Sequence, residues 1–339
     1  MVAIAVEAPH CLVLRADGAL QAGADEVLVA VRRAGICGSD MHILHGSNPF
    51  ARYPRVIGHE MAGTVEAVGA GVTNVALGDH VVVDPVVSCG HCHPCRTGRP
   101  NVCANLEVFG VHRDGGFRDR MVVPAGNAIK VSPSLSFDVA TLTEPLSVAA
   151  NVLLRTGCTA DDTVLIYGAG TVGITVLQVA KMFGARCIVA DPDAARLRRA
   201  AAFGADVTLR SGHQDVPAAV AGELGGLGPS VVIDGAGVPA LLGEACRVAA
   251  PAGRIGLLGF LAEPTPVVQQ DIVRKELTIA GSRLNRRLMP QVIEWLETGR
   301  LVPAAMITQT FRAEDVRAAF NLIETHPEQT VKVQLSFGE

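Results

Sequence analysis

The segment TVLIYGAGTVGITVLQVAKMFGARCIVAD, Thr163 to Asp191, decides the fold. It opens on an apolar β-type run, passes through GAGTVG at Gly168 to Gly173, continues for the length of a helix, and closes on a second apolar run, RCIVAD. Strand, glycine turn, helix and strand in that order begin a dinucleotide-binding βαβ unit. There Gly168 permits the turn, Gly170 lets backbone approach a pyrophosphate, and Gly173 lets the helix pack on the strand. Thr171 and Val172 lie between them at the helix N-terminus, whose backbone amides attract phosphate. Asp191 closes the second strand eighteen residues after Gly173, where a carboxylate accepts the adenosine ribose hydroxyls and repels a 2′-phosphate. NAD is therefore preferred over NADP, with Arg196, Arg198 and Arg199 on the following helix as the counterweight. Asp191 also suits a helix N-cap.

Working outward, VTLR, SVVIDG, RIGLLGF and LTIAGS follow as further apolar runs separated by helix-length segments, six strands in all. Such alternation predicts an α/β doubly wound parallel sheet over residues 148–285. Residues 1–147 differ: EVLVAVRRAGICG, GTVEAVG and DHVVVDPVV are short β-like runs between Gly/Pro turns, which predicts a β-rich domain. Beyond residue 286 an amphipathic helix, LMPQVIEWLETG, precedes an alternating tail, VKVQLSF, that reads as a last strand. A lone strand needs a partner sheet. The β-rich first part is the expected host, making residues 1–147 and 286–339 one domain with the dinucleotide domain inserted.

The chain has 339 residues, 49% of them hydrophobic and 18% charged, so two compact domains are expected and disorder is not. A net charge of -4 supplies no basic field for nucleic acid. Glu7 interrupts the N-terminus before any leader pattern develops, so cytoplasm is expected. Thr163 to Ala180 carries no charge, but its three glycines mark a strand-to-helix turn rather than a membrane span.

Nine cysteines are present, and four of them crowd into SCGHCHPCRTGRPNVC. Cys89, Cys92, Cys95 and Cys103 have the spacing C-x2-C-x2-C-x7-C. Four thiolates in a loop with Gly90, Pro94, Gly98 and Pro100 fit a closed, structural tetrahedral zinc site. A second set is looser: Cys37 in GICGSDMH, His59 in GHE, and an acidic residue, for which Glu60 and Glu144 compete. Sulfur, imidazole and carboxylate together suit a zinc ion that keeps an exchangeable position. The expected content is two zinc ions per chain, one catalytic and one structural, with NAD.

With both metal motifs and the glycine turn in place, the chain resembles the zinc-containing medium-chain dehydrogenases, the alcohol and polyol dehydrogenase family, along its whole length. That resemblance implies a GroES-like catalytic domain beside the Rossmann domain. Carried onto this sequence, it makes Cys37 and His59 catalytic zinc ligands and Asp40 the carboxylate that orients His59. It has Ser39 receive the alcohol proton and His42 pass it to solvent, and it brings Lys332 to the cofactor phosphates, an exposed strand lysine being the alternative. The glutamate at 144 is similar to the polyol branch.

GSNPFARYPRVIGHE, DPVVSCGHCHPC and FGVHRDGGF resemble the bacterial sugar-acid branch, which includes starvation-sensing zinc oxidoreductases and the L-gulonate, L-galactonate and L-idonate 5-dehydrogenases. The implied substrate is a sugar acid or polyol. A bound carboxylate needs a cationic or multidentate donor, and the candidates are His112 and Arg113 in FGVHRDGGF and Arg283 and Asn285 in GSRLN. General polyol and L-threonine dehydrogenases are alternatives, as is an NAD(H)-sensing zinc protein without turnover. A zinc-free enone reductase is disfavoured by the Cys37, His59 and Glu144 set. The family implies a homodimer or homotetramer, and no nucleic-acid or membrane partner is expected.

Overall fold

A computed structural model describes residues 2–260 and 262–338. They fall into two compact units, Met1–Glu144 with Arg286–Glu339, and Pro145–Asn285. The first boundary lies inside the opening turn of helix Thr143–Arg155, so Glu144 belongs to the unit that carries Cys37 and His59.

The first unit is organised on a seven-stranded sheet. Its central strand, Glu26–Ile36, pairs antiparallel with Glu60–Val68 on one side and with the terminal strand Lys332–Ser336 on the other. The alternating valines Val27, Val29 and Val31 are at most 1% exposed, as a strand covered on one face requires. Each contributes about 1.5–3 kcal/mol of burial. Ala62, Val82 and Val131 form a cluster with Met289 and Ile293 of helix Met289–Glu297, so chain from both termini shares one core. At the end of the central strand Gly35 stands opposite both Glu60 and Gln334, and Ile36 stands opposite Val333.

The second unit is a six-stranded parallel sheet ordered Val207–Arg210, Arg186–Asp191, Thr163–Tyr167, Val231–Asp234, Arg254–Leu257, Thr278–Gly281. In sequence order that is 3-2-1-4-5-6, with the strand order reversing beside Thr163–Tyr167, the place where such sheets hold a dinucleotide. Leu165, Ile188, Val232 and Ile255, one from each of four neighbouring strands, are fully buried in one core cluster. RIGLLGF is strand only as far as Leu257.

Thr163–Ala180 is half strand and half helix rather than one span. By length and composition Phe137–Arg155 is apolar enough to cross a membrane, but 72% of its window is buried inside the protein, as in a core helix.

Candidate functional site

Cys37 directly follows the central strand of the first unit and caps helix Gly38–Leu44 from an extended conformation. Asp40, at the third helical position and completely buried, accepts the Cys37 N–H at 2.9 Å through one oxygen. Its other oxygen accepts the Gly58 N–H at 3.2 Å and lies 3.6 Å from His59 Nδ1. One carboxylate thus ties the helix start to the turn before His59. Burial works against protonation of His59, but Asp40 and Cys37 outweigh it and hold its pKa well above the usual value. With Nδ1 directed at Asp40, Nε2 is left for a metal.

Cys37 Sγ, a His59 nitrogen and a Glu60 oxygen all lie within 4.8 Å of one another. Thiolate, imidazole and carboxylate at that separation fit one zinc ion. Ser39 Oγ is 3.3 Å from His59 Nε2, so the hydroxyl faces the same space. His42, one helical turn further on, is exposed and places Nδ1 3.0 Å from Ser47 Oγ. Glu144 stands outside the three-ligand group. It is 5% exposed, and burial pushes its carboxyl up to about 7, with His59 and Lys332 pulling down against Glu60.

Lys332 is not an exposed strand lysine: it is 1% exposed, and its ammonium donates to both Glu60 oxygens at 2.7 and 2.8 Å and to the Ile36 carbonyl at 3.1 Å. An ammonium has three hydrogens, and all three are used. The cause is strand register, which sets Lys332 beside the end of the central strand facing inward. Glu60 reaches it across Gly35, where a Cβ would sit 2.0 Å from Glu60 Oε2, so only glycine lets the carboxylate lie there. The sequence offered one clue, a glycine inside a strand.

The four-cysteine loop is compact in the same way. Cys92 Sγ lies 3.4 Å from Cys95 Sγ and 3.7 Å from Cys103 Sγ, and Cys103 Sγ lies 3.4 Å from Cys89 Sγ. A tetrahedral zinc with bonds of about 2.3 Å separates its sulfurs by about 3.8 Å, so the cluster fits the ion. Amide donation from Ala104 and Cys95 brings the Cys92 thiol down to about 6, favouring the thiolate. His91 spends Nδ1 on the Cys89 carbonyl at 2.8 Å and is exposed, which leaves the cysteines as the ligand set.

In the second unit Gly168 has φ +93° and Gly170 caps helix Thr171–Met182 without a side-chain partner of its own. A Cβ on Gly173 would stand 1.8 Å from the Gly168 carbonyl oxygen, so the helix approaches the turn only because Gly173 lacks one. Thr171 opens the helix, and Val172 is 37% exposed beside it. Asp191, 3% exposed, accepts the Ala169 and Asp193 N–H groups, both at 2.8 Å. It is not the N-cap of the next helix. Asp193 takes that role by accepting the Arg196 N–H at 2.8 Å. Two amides fix the Asp191 carboxylate while its remaining lone pairs stay available to ribose hydroxyls. Open turn, uncapped helix N-terminus and anchored carboxylate together fit a dinucleotide.

The four carboxylate-binding candidates divide between the two units. His112 is half-buried, accepts the Val108 N–H at Nδ1 and stacks 5.7 Å from Phe50, while Arg113 faces Glu107 at 3.7 Å and covers the Phe109 ring. Both belong to the first unit. Arg283 and Asn285 belong to the second: Arg283 lies 5.7 Å from the Phe260 ring centroid with its pKa lowered by burial, and Asn285 is fully buried.

Comparison with known proteins agrees with this chemistry. Residues 23–133 match the alcohol dehydrogenase GroES-like domain and residues 171–298 the zinc-binding dehydrogenase domain. The starvation-sensing protein RspB of Escherichia coli K12 is 46% identical over 344 residues, covering 100% of both chains. L-galactonate-5-dehydrogenase of the same organism is 31% identical over 286 residues, 84% of this chain and 82% of that one. A crystal structure of rspB from E. coli CFT073, described as a short chain alcohol dehydrogenase complexed with NADH, superposes with a TM-score of 0.96 at 45% identity, covering 99% of each chain. The chain belongs to the zinc-dependent alcohol dehydrogenase family, with a GroES-like domain and a Rossmann-type nucleotide domain.

Proposed function

We propose that this dehydrogenase oxidises a secondary hydroxyl of a six-carbon sugar acid, near the end remote from the carboxylate, with NAD as acceptor and in reversible fashion. The observation that carries the dehydrogenase chemistry is the convergence of Cys37, His59 and Glu60 next to the Ser39 hydroxyl. When bound, zinc supplies Lewis acidity toward an alcohol oxygen and NAD supplies a two-electron acceptor. The chain's own residues manage the proton: Ser39 Oγ accepts it as its own hydroxyl proton leaves toward exposed His42, three residues on along the same helix face, which gives it to solvent. Asp40 keeps His59 and Cys37 in place through both of its oxygens. A sensor without turnover needs no such proton exit.

The sugar-acid reading is supported by the resemblance of the 46–60, 84–95 and 109–117 segments to that branch and by the L-galactonate-5-dehydrogenase relative. Arg283 supplies a partly desolvated cation for the carboxylate. L-gulonate, L-galactonate or L-idonate is expected to be oxidised at least ten times faster than sorbitol, xylitol or L-threonine, as a charge-assisted pair of about 1.5–3 kcal/mol implies. Arg283→Ala should raise KM for the acid more than for an uncharged polyol. Equal kcat/KM on sorbitol and the aldonates would return the assignment to a general polyol dehydrogenase.

NAD preference rests on Asp191 in this reading. Asp191→Ser should reduce the NAD:NADP ratio of kcat/KM by about 10-fold or more, since it removes both a charge-assisted hydrogen bond and a repulsion. A wild-type enzyme faster with NADP would place the choice with Arg196 and its neighbours instead. Assembly into a dimer or tetramer through the outer strand Thr278–Gly281, where Ile279 is 37% exposed, completes the proposal, and light scattering tests it. Cytoplasmic location belongs to the same proposal.

A further inference from the structure

The cavity at the nucleotide turn is larger than pyrophosphate and ribose recognition accounts for. It measures about 610 Å³, and Gly168 and Asp191 line it together with Tyr167, Val238, Glu244 and Arg247. The pyrophosphate hangs from one side of the adenosine ribose and the base from the other. The lining that the glycine turn and Asp191 leave unassigned therefore faces the base.

That lining contains one built polar pair. Tyr167, 3% exposed at the end of its strand, donates its hydroxyl to Glu244 Oε1 at 2.8 Å across 77 positions of sequence. Burial, and then Glu244 itself, push the Tyr167 pKa far up, so the phenol stays a fixed donor. Glu244 sits in the first turn of helix Leu241–Val248 and is partly open to the cavity. Among the described residues its second oxygen takes no hydrogen bond. An ionised carboxylate only accepts. It complements the 6-amino group of adenine, which donates two hydrogens, and opposes the 6-oxo group of hypoxanthine, which only accepts. Ala236, Val238 and Leu241 give the base apolar cover.

We propose that Glu244, oriented by Tyr167, reads the base of the dinucleotide and selects a 6-aminopurine over a 6-oxopurine. The proposal rests on the NAD-dependent reading and deepens it, since turn and ribose contacts alone are blind to the base.

The test is calorimetric titration of the enzyme with NADH and with reduced nicotinamide hypoxanthine dinucleotide, which differ in the 6-substituent of the purine and in the proton that the 6-oxo form carries on N1. Wild type should bind NADH on the order of 10- to 100-fold more tightly, the range for a hydrogen bond to a charged group. Glu244→Gln should bring the two dissociation constants within about 3-fold, because a carboxamide turns to donate to the 6-oxo group as readily as it accepts from the amine. Tyr167→Phe should lower the ratio to an intermediate value by releasing the carboxylate. Equal binding of both dinucleotides by wild type overturns the proposal on its own, whatever the variants do. So does a folded Glu244→Gln protein that keeps the full ratio. Failure of both dinucleotides to bind would instead overturn the NAD reading, and the proposal with it.

Discussion

Replacing Cys92 by Ala should remove one of two zinc ions and open the 89–103 loop to proteolysis, whereas replacing Cys37 by Ala should remove the other and abolish turnover with the fold intact. The difference follows from what surrounds each ion. The loop has little core of its own: of its residues only Pro100, Asn101 and Cys103 are buried. Its short helix His93–Arg96 buries nothing, so four sulfur–metal bonds would be what orders it. Zinc binding to such a loop is folding free energy. Cys37, by contrast, lies at the end of a strand paired on both sides and at the start of a helix whose Asp40, Met41 and Ile43 are buried, and those contacts persist without the thiolate. Loss of the Lewis acid should cost about 10³-fold or more in kcat/KM, as several kcal/mol of transition-state stabilisation disappear. Metal analysis, limited proteolysis and NAD reduction read the outcomes separately. Two zinc ions retained in Cys92→Ala, or normal turnover in Cys37→Ala, would refute the division of roles.

Features whose partners lie close in sequence were legible from it, and those set by strand register were not. GAGTVG and the four-cysteine loop carry their geometry within a few residues, because turn conformation and ligand spacing are local. The strands of the nucleotide sheet were readable for a similar reason: the four inner ones are apolar runs buried on both faces, and the two edge strands, Val207–Arg210 and Thr278–Gly281, are short runs that each keep one buried residue. Asp191 and Asp193 show where local reading falters. Two carboxylates two residues apart both suit a cap, and the chain's path past Pro192 gives the role to Asp193. The Tyr167–Glu244 pair joins a strand to a helix that the sequence places far away, with no pattern to announce it. The same holds for Lys332, 272 residues from Glu60, where the resemblance to a family spoke only of phosphates and the register of three strands sets a buried ion pair.

That ion pair yields the second large expectation, on stability. With the Cys37 site free of zinc, so that no metal holds Glu60, Lys332→Ala should destabilise the protein by about 3–5 kcal/mol, the usual cost of leaving a buried charge without its partner. Glu60 is 0% exposed and Lys332 1% exposed, so water cannot substitute. Burial alone would lower the lysine pKa, yet Glu60 and then Cys37 raise it, which keeps the ammonium charged. Gly35→Ala should cost a comparable amount by another route, since a methyl group and the Glu60 carboxylate cannot share the space over the central strand. The double replacement Glu60→Gln with Lys332→Met should recover much of the loss, because removing both charges also removes both desolvation penalties. Urea unfolding distinguishes these cases: the midpoint should fall in each single variant, with an unchanged slope, and rise again in the double one. A Lys332→Ala protein that unfolds at the wild-type midpoint would mean Glu60 is held elsewhere, and a double variant no better than the single one would mean that shape rather than charge fixes the pair.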